Sequence, residues 1–309
     1  MTIVGFTLTN CPWRSWTEKE LQAVLDLEPR VVQVLVYKQQ PESIRQAQKQ
    51  QLLWIYSVLG CKFQYRICGF GPGDSPEEAA QKTKEFLRGL PPGKIIPFNE
   101  PNHPGEGWTN FNWASWARSF ALCFDYFEGY ELITPALSPN FPGYDSDVRN
   151  ILAPLVDEGV YDYLGLHIYA ETDLSSLQEL PCIITECNGD LPHKVFNWPN
   201  AEEIIWFSLL WENPGEENWK WDLLNNKELS DSFKSWKEET TVPEFKFGVL
   251  DEANRLRAAG VDVGEPITDE YWFTRELAVQ LTTTGQFWVH RVGDAYYVQF
   301  HLKSIVPLA

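Results

Sequence analysis

Short apolar runs alternate along the first 240 residues with longer segments whose apolar positions recur at helical spacing. The strand-like runs lie at 3–8, 31–37, 63–70, 94–100, 131–137, 163–169, 182–187 and 204–211. A helical segment or a connection follows each run, and the longest helical segments are 17–27, 41–59, 75–89 and 110–128. Such alternation implies right-handed crossovers and a parallel sheet, and eight units in about 240 residues is the period of a (β/α)8 barrel. We therefore predict an α/β fold, a TIM barrel.

An open, doubly wound sheet is the alternative interpretation of the same alternation. Such a sheet normally carries a glycine-rich phosphate turn after its first strand. The corresponding segment here, residues 7–13 with the sequence TLTNCPW, is not such a turn. The helix starts agree with the predicted elements, because Thr17 and Glu20 have capping-box spacing and Ser75 stands just before Pro76. The barrel is favoured.

The pattern changes after residue 241. Helical periodicity covers 244–259, and three short β-rich runs follow at 277–282, 286–292 and 295–300. The segments TTTG and VGDA between these runs are typical of hairpin turns. We predict a catalytic barrel at 1–241 and a small C-terminal α+β module at 242–309.

Polar residues stand at the carboxyl ends of the predicted strands, where a barrel gathers its catalytic groups. Strand 4 ends in Asn99 and Glu100, strand 6 in His167 and Tyr169, and strand 7 in Glu186. Burying an unpaired carboxylate is expensive, so each of these glutamates needs a cationic partner or a chemical role. A pair of structural salt bridges is the alternative, although few basic residues lie nearby in the sequence.

The order of these features resembles that of the clan A glycoside hydrolases, which are (β/α)8 barrels that cleave glycosidic bonds with retention of configuration. Asn-Glu-Pro ends strand 4, His-x-Tyr ends strand 6, a glutamate ends strand 7 and tryptophan lies on strand 8. The resemblance implies that Glu100 is the acid/base and Glu186 the nucleophile of a double displacement. It also implies that Asn99 binds the sugar 2-hydroxyl, that Tyr169 holds Glu186 in place and that His167 lines the site.

One family feature is missing from its usual place. Clan A enzymes usually carry an arginine on strand 2 that supports the nucleophile, but this chain offers only Lys38, just beyond the end of that strand. We expect Arg66 on strand 3 to take over this role. A plain salt bridge or a surface position for Arg66 is the alternative.

Three tryptophans are candidates for the flat surface on which a sugar ring stacks. Trp206 and Trp211 both lie on predicted strand 8, and their odd separation places them on opposite faces of it. We favour Trp211, because it is nearer the barrel mouth. Trp108, in the loop after strand 4, is the candidate for a more distant sugar contact.

Composition narrows the range of partners. The net charge is −18 and no stripe of Lys and Arg interrupts it, so nucleic acid and anionic membranes are not expected partners. The chain has 14 tryptophans in 309 residues, which is more than core packing usually demands. Aromatic faces suit sugar rings, so carbohydrate is the expected substrate, with an aromatic-rich core as the alternative.

No cofactor or metal is expected. The five histidines have no H-E-x-x-H or comparable spacing, and the six cysteines have no C-x-x-C spacing, so we expect reduced, buried thiols. The first residues lack the basic segment and apolar stretch of a signal peptide, and no apolar run is long enough to cross a bilayer. These features predict a cytoplasmic protein or one released without a signal peptide, and a secreted protein only if a leader was trimmed.

The sequence thus predicts a retaining β-glycoside hydrolase that acts on an oligo- or polysaccharide. One alternative is a phage- or bacteria-type lysin of peptidoglycan, whose C-terminal module would bind the cell-wall polymer. Another is a non-catalytic carbohydrate-binding barrel, which would keep the aromatic residues but would not need both glutamates. The presence of both carboxylates favours the enzyme.

Overall fold

The structure of the protein is a computed structural model. It describes the chain except for residues 1–2, 9–12, 109–111, 125–128, 170–174, 189–197, 199, 211–221, 239–255, 258–262, 264–270, 275–276, 282–284, 293–294 and 303–309. The chain forms two compact units, one of residues 1–53 and 62–240, the other of residues 54–61 and 241–309. The predicted domain boundary after residue 241 stays a prediction.

Eight parallel strands form the sheet of the first unit. They are β1 (Ile3–Thr7), β2 (Val31–Tyr37), β3 (Lys62–Cys68), β4 (Lys94–Ile96), β5 (Glu131–Leu132), β6 (Gly165–Tyr169), β7 (Cys182–Asn188) and β8 (Ala201–Trp206). Their order is β5-β4-β3-β2-β1-β8-β7-β6, and a parallel bridge between Ile133 and Tyr163 joins the two ends of this order. The predicted (β/α)8 barrel is therefore confirmed.

Helices connect the strands as the alternation predicts. They are α1 (Glu18–Leu27), α2 (Glu42–Leu59), α3 (Pro76–Leu87), α4 (Trp113–Phe124), α5 (Tyr144–Asp147), α6 (Ala153–Asp157) and α7 (Lys227–Glu238), and a π-helical turn (Val148–Leu152) joins α5 to α6. The capping box of Thr17 and Glu20 starts α1, and Ser75 caps α3 by accepting from the Glu78 amide. None of the described helices is long and apolar enough to span a bilayer.

A glycine lets the two ends of the strand order meet. The amide of Gly165 in β6 donates to Thr134 Oγ1 over 2.9 Å, and the Thr134 amide donates to Tyr163 O over 2.9 Å. A β-carbon at position 165 would stand 2.6 Å from the Thr134 carbonyl oxygen, which is too close for any other residue. The absence of a side chain at Gly165 therefore allows β6 to approach the chain that follows β5.

Polar side chains lie buried on the strands among the apolar residues of the first unit. Thr7, Gln33, Gln64, Lys94 and Glu203 are all buried, although they come from five different strands. Barrel interiors are usually filled by branched apolar residues, so a cluster of five buried polar side chains is unusual.

The second unit contains an antiparallel sheet of four strands in the order β12-β11-β10-β9. The strands are β9 (Tyr271–Thr274), β10 (Leu277–Leu281), β11 (Gly285–Val292) and β12 (Ala295–Leu302). Sequence analysis predicts the last three and misses β9. The predicted helix at 244–259 falls almost entirely outside the described residues.

Candidate active site

The barrel brings six of the predicted site residues together at the carboxyl ends of its strands. Glu186 lies on β7, His167 and Tyr169 lie on β6, and Arg66 lies on β3. Asn99 and Glu100 follow β4, which ends at Ile96. Contacts of 2.6–3.2 Å link these six side chains into one hydrogen-bonded group.

Arg66 is the cationic partner of Glu186. Its Nη1 lies 2.6 Å from Glu186 Oε2, and the two side chains are only 4% and 11% exposed. Its Nη2 donates to the carbonyl oxygen of Thr185 over 2.9 Å. Burial acts to lower the Arg66 pKa, but the Glu186 charge and hydrogen bond outweigh it and raise the pKa. The guanidinium therefore stays charged beside the carboxylate, as a buried ion pair requires.

Glu100 is held by two residues of β6. His167 Nδ1 and the Tyr169 hydroxyl lie 2.9 and 2.8 Å from its Oε1. Burial acts to raise the Glu100 pKa, but the hydrogen bond with His167 and the electrostatic interaction with it, the Tyr169 hydroxyl and Arg66 lower the pKa to about 2. The Glu100 backbone has a φ of 31°, in the left-handed region that a non-glycine residue rarely adopts. Strain of this kind concentrates at functional sites.

The Tyr169 hydroxyl lies between the two carboxyl groups. It is 2.8 Å from Glu100 Oε1 and 2.8 Å from Glu186 Oε1, so these two oxygens cannot be further apart than twice that distance, 5.6 Å. Burial, followed by the charges of Glu186 and Glu100, raises the Tyr169 pKa well above its ordinary value, so the hydroxyl keeps its proton. One hydroxyl donates one proton, which leaves one of the two contacts without a hydrogen unless a carboxyl group carries it.

Asn99 connects the ion pair to a third carboxyl group. Its Oδ1 accepts from Arg66 Nη1 over 3.2 Å, and its Nδ2 donates to Glu106 Oε1 over 3.1 Å. Burial raises the pKa of the Glu106 carboxyl, and the negative charge of Glu100 adds to the rise. Glu106 follows β4 by ten residues, and nothing in the local sequence pattern signals its contact with Asn99.

Two of the three predicted sugar platforms are core residues, which corrects the prediction. Trp206 is 0% and Trp108 1% exposed, so neither indole presents a face to a ligand. Trp108 stacks on Phe98 at 4.7 Å between ring centroids and meets Trp116 edge-on at 5.3 Å. Trp206 is the last residue of β8, which begins and ends earlier than its apolar run predicts. Trp211 lies outside the described residues.

Three aromatic residues that sequence analysis does not single out lie after strands or at a strand end. Phe207 follows β8 directly, is half-buried, and places its ring 5.9 Å from the Arg66 guanidinium. Trp13 is 55% exposed, and its ring lies 6.4 Å from that of Tyr37, the last residue of β2. Their positions after strands β8, β1 and β2 are the only sequence signals that could have pointed to them.

Within the described part of the chain, no group of three or more His, Cys, Asp or Glu side chains is arranged to hold a metal ion. The described side chains at the barrel mouth that can take part in chemistry are carboxyl groups, an imidazole, a hydroxyl and a guanidinium. Two carboxyl groups that share a hydroxyl can divide proton transfer and nucleophilic attack between them.

No family model and no curated protein matches the chain. Among solved structures it is similar to a GH113 β-1,4-mannanase, with 10% identity over 78% of this chain and 100% of that one, at a TM-score of 0.49. It is also similar to an endo-β-1,4-glucanase from Xanthomonas axonopodis pv. citri, with 10% identity over 70% of this chain and 90% of that one, at a TM-score of 0.46. A hyperthermophilic β-glucosidase mutant is 11% identical over 67% of this chain and 91% of its own, at a TM-score of 0.42. Similarities of this size say nothing about the reaction, which has to be inferred from the site.

Proposed function

We propose that this protein is a retaining β-glycoside hydrolase, with Glu186 as nucleophile and Glu100 as acid/base. The observation that carries the proposal is the upper limit of 5.6 Å between the two carboxyl oxygens that share Tyr169. Retaining glycosidases hold their carboxyl groups about 5 to 5.5 Å apart, whereas inverting enzymes need about 6.5 to 9.5 Å to admit a water molecule. The short separation favours direct attack on the anomeric carbon.

The ion pair supports Glu186 as the attacking group. Arg66 binds Oε2 of this carboxylate over 2.6 Å, so Oε1, which contacts Tyr169, is the oxygen that can turn to the sugar. A nucleophile needs an ionised carboxylate in a fixed orientation, and a guanidinium supplies both conditions. Glu100 has no comparable contact with a guanidinium among the described hydrogen bonds, which suits a group that must gain and lose a proton.

Glu100 can obtain its proton from His167. His167 Nδ1 and Glu100 Oε1 lie close enough for one proton to pass between them. Transfer of that proton across the 2.9 Å contact yields neutral His167 and protonated Glu100, with no change in total charge. A bound sugar removes water from the pair and disfavours the charge-separated form. Glu100 then donates the proton to the leaving oxygen and, in the second step, takes one from water.

The aromatic pair of exposed Trp13 and half-buried Tyr37 supports a substrate of more than one sugar unit. In the pairing of β2 with β3, Tyr37 stands opposite Cys68, two residues beyond the pair of Leu35 and Arg66. Two residues of strand correspond to about 6.6 Å, close to the length of one sugar ring. The pair therefore lies at the same end of the barrel as the nucleophile, where a neighbouring sugar can stack on it.

Azide rescue tests the assignment of roles. Glu186→Ala should abolish hydrolysis of an activated aryl β-glycoside, and azide should restore turnover with an α-glycosyl azide as product, because the anion fills the space of the nucleophile. Glu100→Ala should yield the β-glycosyl azide, formed from the trapped glycosyl-enzyme. A panel of aryl glycosides and glycans, with peptidoglycan included, identifies the sugar first. Retention of more than about a tenth of the wild-type rate by both variants would refute the assignment.

A further inference from the structure

A continuous line of buried hydrogen bonds runs through the barrel from the start of β4 to the nucleophile. Lys94 Nζ and Gln64 Nε2 donate to the two oxygens of Glu203, each over 2.7 Å. Gln33 Nε2 donates to Gln64 Oε1 over 3.2 Å and to the carbonyl oxygen of Thr185 over 2.8 Å. Thr185 immediately precedes Glu186, and its carbonyl oxygen also accepts from Arg66.

The orientation of each amide in this line is determined by its neighbour. The Glu203 carboxylate only accepts hydrogen bonds, so the Gln64 amide must turn its NH2 group towards it and its oxygen towards Gln33. Gln33 must then turn its own NH2 group towards Gln64, which is the orientation that also satisfies the Thr185 carbonyl. The Thr7 hydroxyl donates to the side-chain oxygen of Gln33, Oε1, over 2.9 Å. The charge of Glu203 thus dictates, through two amides, which group of Gln33 meets Thr185.

Stability alone is a weak explanation for this arrangement. Lys94 and Glu203 are both buried, with side chains 9% and 2% exposed. Replacement of a buried ion pair by well-packed apolar residues is often neutral or stabilising, so an apolar interior would serve the fold equally well. The hydrogen-bonded series of Lys94, Glu203, Gln64 and Gln33, called the polar line here, instead supplies a second donor to the Thr185 carbonyl. Arg66 is the first donor, and Thr185 immediately precedes the nucleophile.

We infer that Gln33 is a positioning residue for Glu186, and that the Lys94–Glu203 ion pair at the opposite end of the barrel sets its orientation through Gln64. Gln33 and Arg66 both donate to the Thr185 carbonyl, which fixes the backbone from which Glu186 projects. The inference rests on the proposed function in one respect only, namely that the positioned carboxylate is the nucleophile.

The kinetic test replaces the ion pair as a unit. The double variant Lys94→Met/Glu203→Leu removes both charges together, so it leaves no buried charge without a partner and should fold. Its kcat should fall about ten- to a hundredfold with an unchanged KM, because a displacement of about 1 Å at a reacting group costs that much. Gln33→Met should show the same division between kcat and KM, and adding it to the double variant should cost little more.

Tyr161→Phe is the matched control. It deletes a buried hydrogen bond to the Ala117 carbonyl, of 2.8 Å, that lies outside the polar line. This variant should lose stability and keep its kcat. A folded double variant with wild-type kcat would overturn the inference, as would a kcat that falls in proportion to stability across all variants, including Tyr161→Phe.

A double-mutant cycle on unfolding tests the transmission of orientation through Gln64 without any measurement of activity. Gln33→Met and Glu203→Gln alter residues that are separated by Gln64, and independent sites normally have additive effects on unfolding free energy. If the amides transmit orientation, the combined variant should be destabilised by less than the sum of the two single variants. Strict additivity would overturn the inference. Failure of the wild-type protein to cleave any glycan would refute the proposed function and leave this cycle valid.

Discussion

Two buried ion pairs lie towards opposite ends of the same barrel. Lys94 and Glu203 meet where β4 and β8 begin, and Arg66 and Glu186 meet towards the ends of β3 and β7. Their contact distances are nearly equal, at 2.7 and 2.6 Å. Both pairs lie among parallel strands. The difference between their roles must therefore come from the other hydrogen-bonding groups around each carboxylate.

The pair at the strand starts is closed. Each oxygen of Glu203 receives a donor, one from Lys94 and one from Gln64, and the residue is almost fully buried. The pair near the strand ends is open, because Glu186 and Glu100 compete for the single proton of Tyr169. A carboxylate whose two oxygens both have hydrogen-bond donors can only orient the side chains around it. A carboxylate that lacks a donor can accept a proton or attack a ligand.

The backbones of the carboxylates show the same contrast. Glu203 lies inside β8, where it pairs with Ile3 of β1 and, beside a register shift, with Ile183 of β7. Glu100 has a φ of 31°, and a left-handed conformation of this kind costs on the order of 1–3 kcal/mol in a non-glycine residue. The fold therefore bears the cost of a left-handed residue at the open site and not at the closed pair.

Removal of the carboxylate from the open pair should have the largest effect on activity. Glu186→Ala should lower kcat about 10⁴-fold or more, as loss of a covalent nucleophile does. Its fold should persist, because Arg66 keeps its contacts with Asn99 and the Thr185 carbonyl. Initial rates on an aryl β-glycoside, with circular dichroism of the same sample, check both statements.

Removal of the carboxylate from the closed pair should have the largest effect on stability. Glu203→Ala leaves Lys94 buried without its partner, which typically costs about 3–5 kcal/mol. The free energy of unfolding in urea measures this loss. A loss below about 1 kcal/mol, the value for exposed pairs, would mean that the buried pair is not the closed structural unit described above.

The pH dependence of stability should report Glu100. Its pKa is lowered from 4.5 to about 2 on folding, so its carboxylate stabilises the fold at neutral pH, and this contribution is lost as the pH falls through that range. The stability difference between wild type and Glu100→Gln should therefore shrink as the pH falls from 5 to 2. Glu158→Gln, which removes an exposed pair with Arg118, is the control and should change stability by less than about 1 kcal/mol.

The smallest expected effect concerns the aromatic pair near the mouth. Trp13→Ala should raise KM for an oligosaccharide about three- to tenfold, the value of one stacking contact, and should leave KM for an aryl monosaccharide unchanged. Leu122→Ala is the matched control, because Leu122 is an exposed apolar residue on α4. Equal effects of Trp13→Ala on both substrates would contradict a role in binding a second sugar.

The barrel, and the positions of Glu100 and Glu186 near its strand ends, follow from the sequence, because both depend on local pattern. Alternating strands and helices reveal the fold, and Glu100 and Glu186 stand out because each ends an apolar run. The burial of Trp108 does not follow, since it depends on contacts with Phe98 and Trp116. Sequence analysis also misplaces the end of β8. The apolar residues Phe207, Leu209 and Leu210 continue the pattern after the strand has ended at Trp206.

The polar line through the barrel escapes sequence analysis for a different reason. Gln33, Gln64 and Glu203 sit in strands where alternation with apolar residues normally indicates a solvent-exposed face. In a barrel the alternate positions face inward, and only the packing of several strands shows that these side chains meet. Pairings such as Gln64 with Glu203 join residues 139 positions apart, and no local pattern encodes them.

The stereochemistry of the first-formed product tests the central claim most directly. If Glu186 attacks the anomeric carbon and Glu100 then activates water on the face that the leaving group vacated, a β-linked substrate releases a β anomer. Proton NMR during the first minutes of hydrolysis, before mutarotation, distinguishes the two anomers by the coupling of the new anomeric proton. The account predicts that the β anomer appears first and the α anomer grows in later. A first-formed α anomer would contradict Glu186 as the nucleophile and the retaining mechanism with it.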